Sequence, residues 1–271
     1  MRYEIHGYRP IQPFLENKTC FLRYSIPVRH PIYNLVWEFY QYEASARQAE
    51  DVFIFPDGCA DMLFCYDSKG VTSFIVTGPF SVSTNRYYEK TTIFGIRFVT
   101  GAEFSMCEVP MHRDSFKHII CRDISSKFSE LEARMAECSA FDERVHVCEK
   151  GISSFLMEKD EVPLLVHFAV TAIINNKGNL KISRLADQSG YGVRYIEKQF
   201  QDYIGLEPKK LCEIVRFQNA LKRLVYRPED NLSDIAWDAG YYDLSHMNKS
   251  YKKMTSALPR DVTHLLAAET D

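Results

Sequence analysis

Two stretches in the last third of this 271-residue chain carry side chains suited to reading the edges of bases. In the first, Val193, Arg194, Glu197 and Lys198 fall on one side at helical spacing. In the second, Leu244, Ser245, His246, Asn248 and Lys249 do so, with Lys252 and Lys253 following. Arg and Lys match the acceptors of guanine, Asn matches adenine, and Leu can meet a thymine methyl. Lys209 and Lys210 lie between the two stretches and suit backbone phosphates, which attract cations regardless of base sequence. Such side chains read a duplex only when a helix carries them into the major groove, so the elements that hold them matter next.

Those elements are written twice. Leu185-Ala186, Gly190-Tyr191 recurs as Ile235-Ala236, Gly240-Tyr241, and Ile196, Phe200, Tyr203 recurs as Met247, Tyr251, Met254. Pro208 likewise recurs as Pro259, so two copies of one unit stand about fifty residues apart. The apolar-plus-small pair lets a first helix pack closely, and the glycine permits a tight left-handed turn. The next helix buries an i, i+4, i+7 stripe and leaves its other face free. Helix, tight turn, helix is the helix-turn-helix, expected at about 182–203 and about 232–254. Asn231 is the expected N-cap of the second unit, with Asp234 three residues on, and Asp243 that of its second helix. A long amphipathic stretch, 208–226, joins the units and carries Lys209, Lys210, Arg216, Lys222 and Arg223. A plain helical bundle with a solvated basic face is the simpler alternative, and the tandem copies argue against it.

The segment IAWDAGYYDLSHMNKSYKKMTSALP resembles the signature of the AraC/XylS family, and LADQSGYGVRYIEKQFQDYIGLEP resembles the same family's first helix-turn-helix. The resemblance covers about 164–266. Met247 stands where that family usually has Phe, Ser256 where it has Gly, and Val262-Thr263 where it has Tyr-Arg. Further upstream, PDGCADMLF, TGPF and GIRFVTGAEF resemble a domain that precedes this pair in many AraC-like bacterial regulators, with Thr100 in place of a usual Pro. That resemblance implies a sensor or dimerisation module, with no assigned ligand.

The upstream part reads as a different class of structure. VFIFPDG, MLFCYDS, SFIVTGPF and YYEKTTIFGIRF are strand-length runs broken by Pro, Gly and Asp, which suggests an antiparallel β-barrel or cupin-like module. Helical spacing takes over at 127–157, where Phe128, Leu131, Met135 and Cys138 form one stripe. That stripe suits either a second subunit or the module's own strands. The polar run 158–163 is the expected linker, giving an α+β chain of two domains, 1–160 and 161–271. Within the first, Trp37, Phe55, Phe64 and Arg97 are candidates to line a small-molecule pocket, with an inward Arg97 favouring an anion. A well-filled core uses the same aromatics equally well.

Other chemistries find little support. His6, His30, His112, His118 and His146 include no HxH pair, and His112 with His118 and Cys121 fits chance scatter better than a metal site. Asp57-Gly58 reads as a turn. Cys59, Cys65, Cys107, Cys121, Cys138 and Cys148 read as buried, reduced thiols rather than sensors or disulfides. Net charge is only −3, from 33 Lys+Arg and 36 Asp+Glu. Basic residues nonetheless outnumber acidic ones between 177 and 260, and the reverse holds before 177. The start, MRYEIHGYRP, has no secretory pattern, and the apolar run 164–174 is too short to span a bilayer.

The expectation is therefore a cytoplasmic, bacterial-type transcription regulator that binds double-stranded promoter DNA. It needs no cofactor, no metal and no membrane, and it has no catalytic residues. A small-molecule effector, RNA polymerase and a second copy of the chain are the expected further partners. One rival is a repair or metabolic enzyme carrying this binding module, but no Pro-Cys-His tripeptide occurs. Another makes the N-terminal module a dimerisation scaffold without a ligand.

Overall fold

The structure, a computed structural model, describes residues 8–18, 20–44, 50–77, 83–87, 91–100, 118–121, 126–156 and 163–268. A short helix α1 (Pro13–Glu16) precedes strands β1 (Leu22–Ser25), β2 (Val36–Ala44), β3 (Glu50–Ile54), β4 (Ala60–Asp67), β5 (Gly70–Thr77), β6 (Ser83–Tyr87), β7 (Thr91–Phe98) and β8 (His118–Ile120). Six of these form one antiparallel sheet in the order β1-β2-β7-β4-β5-β8, while β3 and β6 pair separately.

Strands then helices is the expected organisation, but the sheet does not close into a barrel. Among the described residues β1 and β8 remain opposite edges. The reason lies in what covers the two faces. Phe39, Met62, Phe64, Phe94 and Ile96 form one buried cluster with Phe128, Leu131 and Met135 of α2 (Ser126–Ala136) and Ile152 of α3 (Phe141–Leu156). Their neighbours on the other face, Tyr40, Tyr42, Leu63 and Ile93, meet Leu15 of α1 and Ile54 of β3. Period-two alternation supplies both apolar faces, and with both covered no apolar face is left for closure to bury. Gly95 is needed here, because a Cβ at that position would lie 2.1 Å from Cζ of Tyr40.

The helical stripe of 127–157 thus packs against its own sheet. Phe128, Leu131 and Met135 are buried, and Glu132 accepts hydrogen bonds from the N–H and hydroxyl of Ser73 at 2.8 and 2.5 Å. A seam between subunits is excluded for these three residues, since the chain itself already covers them.

The remainder is helical: α4 (Leu164–Asn175), α5 (Ile182–Ser189), α6 (Val193–Ile204), α7 (Pro208–Tyr226), α8 (Leu232–Asp238), α9 (Leu244–Thr255) and α10 (Pro259–Ala268). The repeated prolines, Pro208 and Pro259, open α7 and α10, where a fixed φ suits the first turn. Residues 158–162 of the expected linker lie outside the described residues. Apolar packing crosses from one half to the other all the same. The sheet's cluster continues through Val166 and Ile173 of α4 to Leu185, Ile196 and Phe200. A second cluster joins Ile11, Phe14 and Phe55 to Ile214 and Phe217 of α7 and to Ile235, Met247 and Tyr251.

Candidate nucleic-acid interface

Helices α5 and α6 form one unit, α8 and α9 the other. α5 ends at Gly190 with φ 76°, and Gly240 follows α8 with φ 83°, the left-handed turns that the repeat implied. Leu185, Ile196, Phe200, Ile235, Ala236, Met247, Tyr251 and Met254 are buried, so the duplicated positions hold the units together. Asn231 Oδ1 accepts the N–H of Ser233 at 2.8 Å, capping α8. Asp243 Oδ1 accepts the N–H of His246 at 2.7 Å, capping α9 where its outward side chains begin.

The outward faces carry the side chains singled out from the sequence. Arg194, Glu197 and Lys198 are exposed and Val193 half-buried on α6; Ser245, His246, Lys249, Lys252 and Lys253 are exposed on α9, with Leu244 and Asn248 half-buried. His246 is more constrained than its exposure suggests. Its ring lies edge-on to Tyr241 at 5.3 Å, and Nδ1 accepts the N–H of Tyr242 at 3.3 Å, which leaves Nε2 as the outward nitrogen. Leu244 also borders a cleft of about 390 Å³ with Leu224, Asn231, Ser233, Arg260 and Thr263.

The cations of α7 divide by their partners. Lys209 is exposed at its start. Lys210 and Lys253 share one carboxylate, Glu213 Oε2, at 3.7 and 3.2 Å. Burial, and then the neighbouring Lys253, lower the pKa of Lys210. Arg223 is held by Asp230 and Asp238, tying the end of α7 to the start and end of α8. Arg216 stacks over Tyr241 at 5.7 Å. Counting basic residues therefore overstates the charge that α7 offers to a duplex.

Sequence reasoning missed the aromatics on these surfaces. Tyr191 and Tyr195 are about half exposed and stack on each other at 5.2 Å, while Trp237 and Tyr242 are 75% and 86% exposed. Tyr195, Trp237 and Tyr242 sit off the buried stripe, and that was the available signal. Gly240 also lies close to the loop before α5, since a Cβ there would come within 3.0 Å of Cβ of Asn179.

The four pocket candidates are not brought together. Trp37 and Phe64 lie in the cluster beneath α2 and α3, whereas Phe55 packs on Phe14 and on Phe217 of α7. Arg97 points to the opposite side of the sheet from Phe64, beside Tyr40 at 5.2 Å. It is buried, with Asp61 Oδ1 at 3.1 Å, Glu38 Oε1 at 3.4 Å and Asp57 Oδ2 at 3.9 Å. Burial works against the charge on Arg97, but Asp61 and Asp57 outweigh it and hold the guanidinium charged. Burial pushes the Asp57 and Glu38 carboxyls up, against the pull of Arg97. Three carboxylates thus occupy the place that an anionic ligand would need.

Burial also pushes up the thiols of Cys59 and Cys148, Cys65 to about 12 and Cys212 to about 11, which disfavours the reactive thiolate. Cys107 and His112 lie outside the described residues. Among the described residues no three His, Cys, Asp or Glu side chains converge as a metal site, and no helix is long and apolar enough to cross a membrane.

Comparison with known proteins matches residues 185–264 to a helix-turn-helix domain family and residues 26–118 to a domain of unknown function (DUF6597). The HTH-type transcriptional activator RhaS of Pectobacterium atrosepticum is 28% identical over 80 residues, covering 30% of this chain and 28% of that protein. RhaS of Escherichia coli O157:H7 is 27% identical over 78 residues, 29% of this chain and 28% of its own. The chain thus aligns with little more than a quarter of the length of these relatives. Among solved structures, ToxT from Vibrio cholerae O395 covers 84% of this chain and 98% of its own at 11% identity and TM-score 0.46. The C-terminal domain of AraT from Geobacillus stearothermophilus covers 39% and 88% at 18% identity and TM-score 0.37.

Proposed function

We propose that this chain, a member of the AraC/XylS family by its duplicated C-terminal unit, regulates transcription by binding specific double-stranded DNA. The observation that carries the reading is the pair of capped or glycine-bounded helices, α6 and α9, each burying one stripe and exposing Arg or Lys on the other, with Asn248 half-buried on α9. In this reading α6 and α9 enter successive major grooves and read sub-sites about one helical turn apart. Arg194 and Asn248 contact bases; Val193, Glu197, Lys198, Leu244, Ser245, His246 and Lys249 complete the two surfaces. Lys209, Lys252 and Lys253 neutralise phosphates and set the salt dependence. RNA polymerase is the downstream partner, the name of the RhaS activators being the support for it. An effector acting on the N-terminal module would change how the two units are presented.

Selection of bound duplexes from a random library by the full-length chain tests this. A two-part consensus is expected, with Arg194→Ala and Asn248→Ala each relaxing a different part. Retention of all sequences alike at moderate salt would overturn the reading.

A further inference from the structure

Gln218 lies on α7 between the two units and is 1% exposed. Its carboxamide works at both ends. Oε1 accepts the N–H of Ile11 at 2.9 Å, and Nε2 donates to the carbonyl of Pro56 at 2.8 Å. Gln12 repeats the arrangement beside it: Oε1 accepts the N–H of Phe55, and Nε2 donates to the Phe55 carbonyl and to Asp57 Oδ2, all at 2.8 Å. Two amides thus stitch residues 11–12, 55–57 and α7 together in a buried place where water does not replace a lost bond.

Aromatic packing extends this junction to the second unit. Phe14 meets Phe55 at 5.5 Å, Phe55 meets Phe217 at 6.0 Å, and Phe217 meets Tyr251 on the inner side of α9 at 4.8 Å. The first unit is reached less directly: Leu185, Ile196 and Phe200 share one apolar cluster with Val166 and Ile173 of α4, Leu211 and Val215 of α7, and the sheet. Apolar packing therefore runs from the N-terminal module through α7 to the second unit, and through α4 and α7 to the first.

We propose that Gln218 is a positioning residue for DNA recognition. By clamping the N-terminal module onto α7, it makes that module a brace that fixes the separation of α6 and α9, and with it the spacing between sub-sites that the chain accepts. This rests on the DNA-binding reading above. The position requires an amide, because it meets a donor and an acceptor at once. Met matches the length and satisfies neither partner; Glu accepts from Ile11 but sets an oxygen against the Pro56 carbonyl.

The test uses the full-length chain and the duplex it selects, with the two sub-sites moved together or apart by one or two base pairs. Wild type is expected to lose about tenfold in affinity per base pair of displacement, by the geometry of paired recognition helices. Gln218→Met and Gln12→Met, checked for folding by circular dichroism, are expected to lose less than about threefold while preferring the same bases within each sub-site. Folded variants that penalise displacement as steeply as wild type overturn the brace. If Gln218→Met does not fold, Gln12→Met, which leaves α7 unaltered, decides the matter. A chain that selects no consensus at all overturns the DNA-binding reading instead.

Discussion

Asp243 accepts the backbone N–H of His246 at 2.7 Å, so the first turn of α9 begins on a charged cap. That turn carries Ser245 and His246, and Asn248 follows directly. Asp243→Ala is expected to cost about 1 kcal/mol of stability and to weaken DNA binding as the helix start frays. Asp243→Ser should recover most of the stability. Urea titration measures it, and an unchanged midpoint in the Ala variant would show the cap to be dispensable.

The contacts of the cations sort the interface into two classes. Arg194→Ala and Asn248→Ala should each cost about 1–3 kcal/mol on the selected duplex and relax preference at particular base pairs. Lys209→Ala should weaken all duplexes alike and flatten the salt slope by about one unit. Lys253→Ala should flatten it less, because Glu213 already offsets that charge. Binding titrations against selected and scrambled duplexes at several salt concentrations separate these outcomes. Full discrimination retained by the Arg194 and Asn248 variants would place both side chains away from the bases.

Ser256 ends α9 with φ 60° and ψ 8°, a left-handed conformation at the position where the signature that the sequence resembles usually has Gly. The side chain costs about 1 kcal/mol there relative to glycine. Ser256→Gly should therefore raise the denaturation midpoint and leave DNA affinity unaltered. A lower midpoint would mean that the entropy of the unfolded chain outweighs the strain relieved.

The Arg97 cluster predicts a pH dependence. Burial raises the Glu38 carboxyl above its ordinary 4.5, so the folded chain holds its proton more tightly than the unfolded one. Such a group's stabilisation is fully present below the unfolded value and is lost as pH rises through the folded one. Stability should accordingly increase on acidification from neutrality towards the raised value, and Glu38→Gln should show a smaller increase. Asp57 contributes in the same direction and remains in that variant. Glu143 acts oppositely, since hydrogen bonds from Ala140 and Ser139 lower its pKa, so measurements belong above its titration. Superimposable stability profiles for variant and wild type would remove Glu38 from the account.

What the sequence determined by itself was local. Leu185-Ala186 with Gly190, and Ile235-Ala236 with Gly240, specify helix, turn and helix through bonds that span only a few residues. Asn231 and Asp243 cap helices by the same short-range logic, and the stripe Ile196, Phe200 leaves Arg194 and Lys198 outward by the helical period alone. Tertiary structure decided everything that depends on partners far along the chain. Alternation in β7 separates Arg97 from Phe98, yet only the fold sets Asp61, Glu38 and Asp57 around the guanidinium. Alternation likewise yields two apolar faces without saying what covers them, so a closed barrel was expected where α2 and the β3–β6 pair do the covering. Phe55 reads as a pocket aromatic until Phe217 is found beside it, and nothing local in the sequence marks Gln218, whose amide is taken at both ends by Ile11 and Pro56. Short-range bonds leave a periodic trace in the sequence, whereas contacts across some two hundred residues depend on the whole chain's packing and leave none.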